Sequence, residues 1–239
     1  MRIKVIISII TTQFREEVRR EFEHYAAEGT EIEIVNVAKG PASVECRYDE
    51  AIATPEVLNR VKEAEQEGCD AVIVNCFVDV GVGPAREIAS IPVIGPGETS
   101  MMFAALLAHK FSVVTVLQNL VPMISDIAVV SGISEKLASV RYVDVPVLEL
   151  TDKEKLKKAL YAEILNAIEK DGAHAVVLGC TGMRGTASDL SRMLKDRGYD
   201  IPVIDPTATS LKFAEALVTM GVKQSKITYM PPPEKERRL

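Results

Sequence analysis

The chain is written twice. The segment EGCDAVIVNCFVDVG at 67–81 reappears as DGAHAVVLGCTGMRG at 171–185, bringing Cys76 and Cys180 to matching places 104 residues apart. Further on, IPVIGPGETSMMFAALLA (91–108) reappears as IPVIDPTATSLKFAEALV (201–218), 110 residues later and with ten of eighteen positions identical. Self-similarity on this scale means two copies of one structural unit. The six extra residues in the second spacing are one longer loop, around DRGYD at 196–200.

Inside each copy, short β-branched runs alternate with longer amphipathic ones. The strand-like runs are IKVIISI (3–9), EIEIVNV (31–37), AVIVN (71–75), IPVIG (91–95), FSVVTVL (111–117), VRYVDV (140–145), AVVLG (175–179) and IPVID (201–205). Between them lie helical patterns such as FREEVRREFEHYAAEG and DKEKLKKALYAEILNAIEKDG. Continuous apolar strands alternating with helices predict an α/β fold with parallel sheets. The repeat divides it into two similar lobes, each a parallel sheet flanked by helices, related by a pseudo-twofold. The first lobe spans 1–97 and the second 98–206. The C-terminal helix, 207–225, repeats 97–109 and is the candidate to complete the first lobe, and 226–239 reads as a solvated tail.

Composition narrows the function. At 47% hydrophobic and 26% charged residues the chain is a packed soluble protein, not a disordered one. A net charge of −6 argues against nucleic acid or an anionic membrane as partner. The opening MRIKVIISII is too short to span a membrane and lacks a cleavage-site pattern, so the expected location is the cytoplasm. Four cysteines without a CxxC, and three histidines without ligand spacing, predict neither a disulfide framework nor a metal site. GVGPAR (81–86) and GPGETS (95–100) do not complete a GxGxxG, and no Walker lysine follows them. They read as turns at helix starts, and no cofactor is expected. The expected partner is a small-molecule substrate, with assembly into a homo-oligomer left open.

Open α/β folds keep their chemistry at the carboxyl ends of strands, where both repeat cysteines fall. A cysteine there can be merely a small hydrophobe; its occurrence at two equivalent strand ends favours function. Inverting a carbon next to a carbonyl needs a base on one face and an acid on the other, because the carbanion between them is planar. Thiols suit both roles, their free pKa of about 8.5 lying near working pH. Cys76 and Cys180 are the candidate pair. Each is followed by a turn into a helix, where N–H groups and the helix dipole favour a thiolate and can hold an enolate oxygen. Phe77, Val78, Thr181 and Gly182 are the candidates for that backbone role. One-thiol decarboxylation or cis–trans isomerisation, a non-catalytic binding module and a redox disulfide are the competing readings.

These residues carry a resemblance. GPASVECRYDEAIATPEVL (40–58), the block NCFVDVGVGPAREIASIPVIGPGETSMMFAALLAHKFSVVTVL (75–117) and LGCTGM (178–183) resemble the hydantoin and allantoin racemase family, within the aspartate/glutamate racemase superfamily. The resemblance runs over nearly the whole chain. It implies a cofactor-independent racemase acting on 5-substituted hydantoins or allantoin, with Cys76 and Cys180 as its acid–base groups. It also implies that Ser43 and Val44 help cover the ring and that Thr11 and Thr12 lie near the substrate. Members of the superfamily also include amino-acid racemases, decarboxylases and isomerases. One departure stands out: ISIITT (7–12) has Ser8 and Ile9 where the family has an Asn-Pro turn, which removes an amide from near the mouth.

Other residues have plainer readings. Cys69 is packing, and Cys46 lies beside the covering loop, either packed or touching ligand. Glu98, Thr99, Thr209 and Ser210 open equivalent helices and read first as caps, and second as lining a cleft. Asp79 either ties down a backbone N–H or polarises the loop.

Overall fold

The computed structural model describes residues 1–237. They divide into two compact units: Met1–Gly95 together with the chain from Ser210 on, and Pro96–Thr209.

The first unit holds a four-stranded parallel sheet in the order β2-β1-β3-β4, with β1 at Arg2–Ile7, β2 at Glu31–Asn36, β3 at Ala71–Val74 and β4 at Val93–Ile94. Every residue of β3 is buried, as an inner strand covered on both faces must be, whereas β2 at the edge buries only Ile34. The helices are α1 (Arg15–Tyr25), α2 (Arg47–Gln66) and the short α3 (Val82–Ile88). α2 turns one stripe inward, Ala53, Val57, Val61 and Ala64, at helical spacing.

The second unit repeats the plan. Its sheet runs β6-β5-β7-β8, from β5 (Phe111–Thr115), β6 (Leu137–Tyr142), β7 (Val176–Leu178) and β8 (Val203–Ile204). The strand expected at 140–145 begins three residues earlier, and Asp144, with a left-handed φ of 56°, stops the extended run. Its helices are α4 (Pro96–Leu107), α5 (Val121–Val130), α6 (Lys153–Asp171) and α7 (Ala187–Asp196). Asp152 opens α6, its carboxylate accepting from Lys155 N–H at 3.0 Å.

The last helix, α8 (Pro206–Met220), starts in the second unit and finishes in the first, the division falling at Ser210. Leu211 and Ala214 enter the first unit's core beside Phe14, Val18, Phe22 and Ile94. Beyond α8 the chain does not simply trail into solvent from 226. Lys226 Nζ donates to the carbonyls of Arg86 (2.6 Å), Glu87 (3.1 Å) and Ala89 (2.5 Å) at the end of α3. Tyr229 lies under the Arg86 guanidinium, 5.4 Å from its ring centroid. Residues 238 and 239 of the expected tail fall outside the described residues. Among the described residues, no helix is long and apolar enough to cross a membrane.

Candidate active site

In the first unit, β3 delivers Cys76. The ladder to β1 pairs Ile6 with Val74, and Asn75 N–H carries it one step further, donating to Ile6 O at 2.8 Å. Cys76, half-buried, follows at the carboxyl edge. The chain then turns back twice: Asp79 N–H donates to Cys76 O at 3.0 Å, and Val82 N–H to Asp79 O at 3.1 Å. Asp79 sits in the left-handed region at φ 55°, and Gly81, at φ 65°, opens α3. The side chains of Phe77 and Val78 are buried.

Cys180 arrives in the same way in the second unit. Gly179 N–H donates to Val114 O at 2.8 Å, extending the β7–β5 ladder, and Thr115 Oγ1 donates to Gly179 O at 2.8 Å. A Cβ at position 179 would lie 2.7 Å from Val113 Cγ1 and 2.9 Å from Thr115 Cβ. The strand end can therefore approach β5 only because it is glycine. Met183 N–H closes the turn on Cys180 O at 3.1 Å, as Asp79 does on Cys76. Gly182 N–H points at the Cys180 sulfur, 3.3 Å away, a donor that favours negative charge there. Gly185, the repeat partner of Gly81, has φ 70°.

The residues expected to cover the ring gather at the carboxyl edge of the first unit's sheet. Ile10 N–H donates to Pro41 O at 3.0 Å, and Thr11 Oγ1 to Ala42 O at 2.6 Å, so the turn after β1 is stitched to the loop holding Ser43. Thr12 is exposed, Ser43 half-buried and Val44 buried. The amide at this turn comes from Asn36 at the end of β2, whose Nδ2 donates to Ile9 O (3.0 Å) and Thr11 O (3.1 Å). Reading 7–12 alone cannot find it, because Asn36 lies over twenty residues away. Thr11, Thr12, Ser43, Val44, Cys76, Phe77 and Val78 thus belong to one unit, and Cys180, Thr181 and Gly182 to the other.

The remaining polar residues sort differently. Cys46 Sγ donates to Asp49 Oδ2 at 3.3 Å. Cys69 is buried, and burial pushes its thiol up. Glu33, Glu67 and Cys69 place ligand atoms within 4.8 Å of one another, but Lys4 Nζ lies among them, paired with both glutamates. Thr209 is not a cap: its Oγ1 donates back to Asp205 O and meets Ser100 Oγ at 3.1 Å, while Ser100 Oγ donates to Pro96 O. The cap of α8 is Asp205, its Oδ1 accepting from Thr207 N–H (2.8 Å) and Ala208 N–H (3.2 Å). Burial raises its carboxyl, and those two N–H groups oppose the rise. A groove of about 600 Å³ lined by Thr54, Leu58, Pro84, Ile88 and Met230 holds none of the expected site residues.

Comparisons with known proteins point one way. The family model described as Asp/Glu/Hydantoin racemase matches residues 3–214. A hydantoin racemase of Pseudomonas sp. (strain NS671) is 37% identical over 238 residues, covering 99% of this chain and 94% of the relative. An allantoin racemase structure from Pseudomonas fluorescens superposes with a TM-score of 0.93 at 32% identity, covering 100% of both chains. Allantoin racemase from Klebsiella pneumoniae gives a TM-score of 0.91 at 34% identity over 98% of this chain and 95% of that one.

Proposed function

Since the chain belongs to the Asp/Glu/hydantoin racemase family and is a racemase, we propose that it inverts the C5 centre of a hydantoin-type ring using Cys76 and Cys180 as paired acid–base groups. The ring is a 5-substituted hydantoin or allantoin, the substrates named for the relatives. One cysteine, as thiolate, takes the C5 proton; the electron pair moves into the adjacent carbonyl, giving a planar enolate. The other, as thiol, returns a proton to the opposite face. The enzyme then holds its proton on the first sulfur and is set for the other enantiomer, so the roles alternate with the substrate's hand.

One observation carries this reading. Two half-buried thiols stand at the ends of equivalent inner strands, each heading a turn closed onto its own carbonyl from three residues on, at 3.0 Å for Cys76 and 3.1 Å for Cys180. The Gly182 N–H aimed at the Cys180 sulfur supports thiolate character there. The backbone of Phe77, Val78, Thr181 and Gly182 supplies the donors for the enolate oxygen, while Thr11, Thr12, Ser43 and Val44 form the ring's cover.

The test is exchange at C5 of several hydantoins and allantoin in heavy water, comparing wild type with Cys76→Ser and Cys180→Ser. Each single variant should lose racemisation by about a thousandfold or more and keep residual exchange of one enantiomer only. Inversion surviving in either variant would sink the two-thiol mechanism. Exchange of an amino acid but of no hydantoin would sink the substrate class.

A further inference from the structure

The two units place one carboxylate differently around their thiol turns, and the repeat makes the difference readable. In the second unit the strand-end residue is Asp205, its carboxylate capping the next helix through Thr207 and Ala208 N–H. The equivalent residue in the first unit is Gly95. That glycine does not leave an empty place. A Cβ at 95 would lie 2.4 Å from Asp79 Cγ and 2.5 and 2.8 Å from its two oxygens. The carboxylate occupying the side-chain position of residue 95 therefore comes from the Cys76 turn. At the matching position of the other turn stands Met183, fully buried. One unit carries its carboxylate on the strand end, the other on the thiol turn.

Asp79 adopts an uncommon backbone to do this. It and Asp144 are the non-glycine residues with positive φ among those described, a conformation that costs an ordinary L-residue about 1 kcal/mol or more. Such a conformation persists where the surroundings hold it. Here the hold is visible: Asp79 N–H donates to Cys76 O, Asp79 O accepts from Val82 N–H, and the carboxylate is seated on Gly95 at the end of β4. The turn following β3 is thereby tied to the neighbouring strand.

We infer that Asp79 is the positioning residue of the Cys76 turn, its carboxylate filling the side-chain place vacated at Gly95 and fixing the thiol and the N–H groups after it. The inference rests on Cys76 being an acid–base group; Asp79 itself exchanges no proton with substrate. Carboxylate and glycine form a matched pair, so moving the carboxylate from one partner to the other should preserve the arrangement.

The decisive variant is Asp79→Gly with Gly95→Asp, which gives the first unit the second unit's layout while glycine at 79 keeps the left-handed turn. Asp79→Gly alone should lower kcat by about a hundredfold, the scale of a small misplacement of a reacting group, with KM within about threefold. Gly95→Asp alone should lose as much, because its side chain collides with the Asp79 carboxylate. The double variant should regain at least about tenfold over Asp79→Gly. Alkylation of Cys76 by iodoacetamide, followed by mass spectrometry of its peptide, should change rate in Asp79→Gly while Cys180 in the same sample keeps its own. Unchanged kcat and Cys76 alkylation in Asp79→Gly would overturn the inference. So would a double variant no better than the single, or equal acceleration at both cysteines, which would make Asp79 a general stability residue. Alkylation requires no substrate, so the two readings fail separately: racemisation surviving Cys76→Ser sinks the functional one, and an unmoved Cys76 rate sinks this one.

Discussion

The Cys180 turn and the Cys76 turn both close onto the cysteine carbonyl from three residues on, but with different anchors. Around Cys180 the anchors are hydroxyls, one from the neighbouring strand and one from the turn itself: Thr115 Oγ1 on Gly179 O, and Thr186 Oγ1 on Met183 O at 2.7 Å. Around Cys76 they are charged groups, some from far along the chain. Asp79 seats on Gly95, Arg86 Nε donates to Val93 O at 3.0 Å and Arg86 Nη1 to Tyr229 OH at 3.0 Å, while Lys226 closes the far end of α3. Duplication preserved strand order, the cysteine and the left-handed glycine of each copy. The supports differ in kind, hydroxyl donors in one unit and a carboxylate and cations in the other.

The contrast can be broken most severely at Gly179. Gly179→Ala pushes a methyl into Val113 and Thr115, and overpacking of that kind costs about 1–3 kcal/mol. Urea unfolding should register it, with racemisation falling at least as far as in Asp79→Gly; a silent Gly179→Ala would deny the close approach. Thr115→Val is next. It removes the hydroxyl from a buried carbonyl and should cost about 1–3 kcal/mol, leaving Cys76 alkylation untouched and Cys180 alkylation altered. Tyr229→Phe tests the long-range support of α3: about 1 kcal/mol of stability should go with its bond to Arg86, and the Cys180 alkylation rate should not move.

The smallest expected effect concerns a second repeat pair, Glu67 and Asp171. Glu67 pairs with Lys4 from β1, and Asp171 takes the Arg141 fork from β6, Nε to Oδ2 at 2.5 Å and Nη2 to Oδ1 at 2.9 Å. Arg141 holds the Asp171 carboxyl below the ordinary carboxylate range, mainly through that hydrogen bond and against the opposing effect of burial. The unfolded chain therefore binds this proton more readily than the folded one. The pair's contribution is present at neutral pH and disappears as pH falls through Asp171's depressed pKa. Asp171→Asn should lose up to about 1 kcal/mol at pH 7 and converge on wild type in strong acid. A constant gap across that range would refute the assignment.

Much of this was legible from residue order. The repeat located both thiols, β3 and β7 read as buried runs, and the position of Asn75 and Cys76 past the last β-branched residue put the cysteine at the strand's end. Other features were not. Thr209 and Ser210 resembled caps because hydroxyls at helix starts usually are, yet Asp205 had already taken the donors. Asn36 carries no local signal of its role, because its partners, Ile9 O and Thr11 O, lie on another strand's turn. The end of the chain read as tail because three prolines and a charged run follow it, and nothing local tells that Lys226 meets the carbonyls of α3.

Periodicity, turn residues and duplicated segments are properties of neighbours along the chain, so reading them in order sufficed for the α/β class, the strand plan and the repeated cysteines, while the family came from the resemblance of 40–58, 75–117 and 178–183. Which group steadies each thiol turn depends on atoms brought together from strands and loops far apart in sequence. Asp79 on Gly95, Thr115 on Gly179 and Tyr229 under Arg86 came into view only with the folded chain, because hydrogen bonding and close packing act over a few ångströms of space whatever the separation along the backbone.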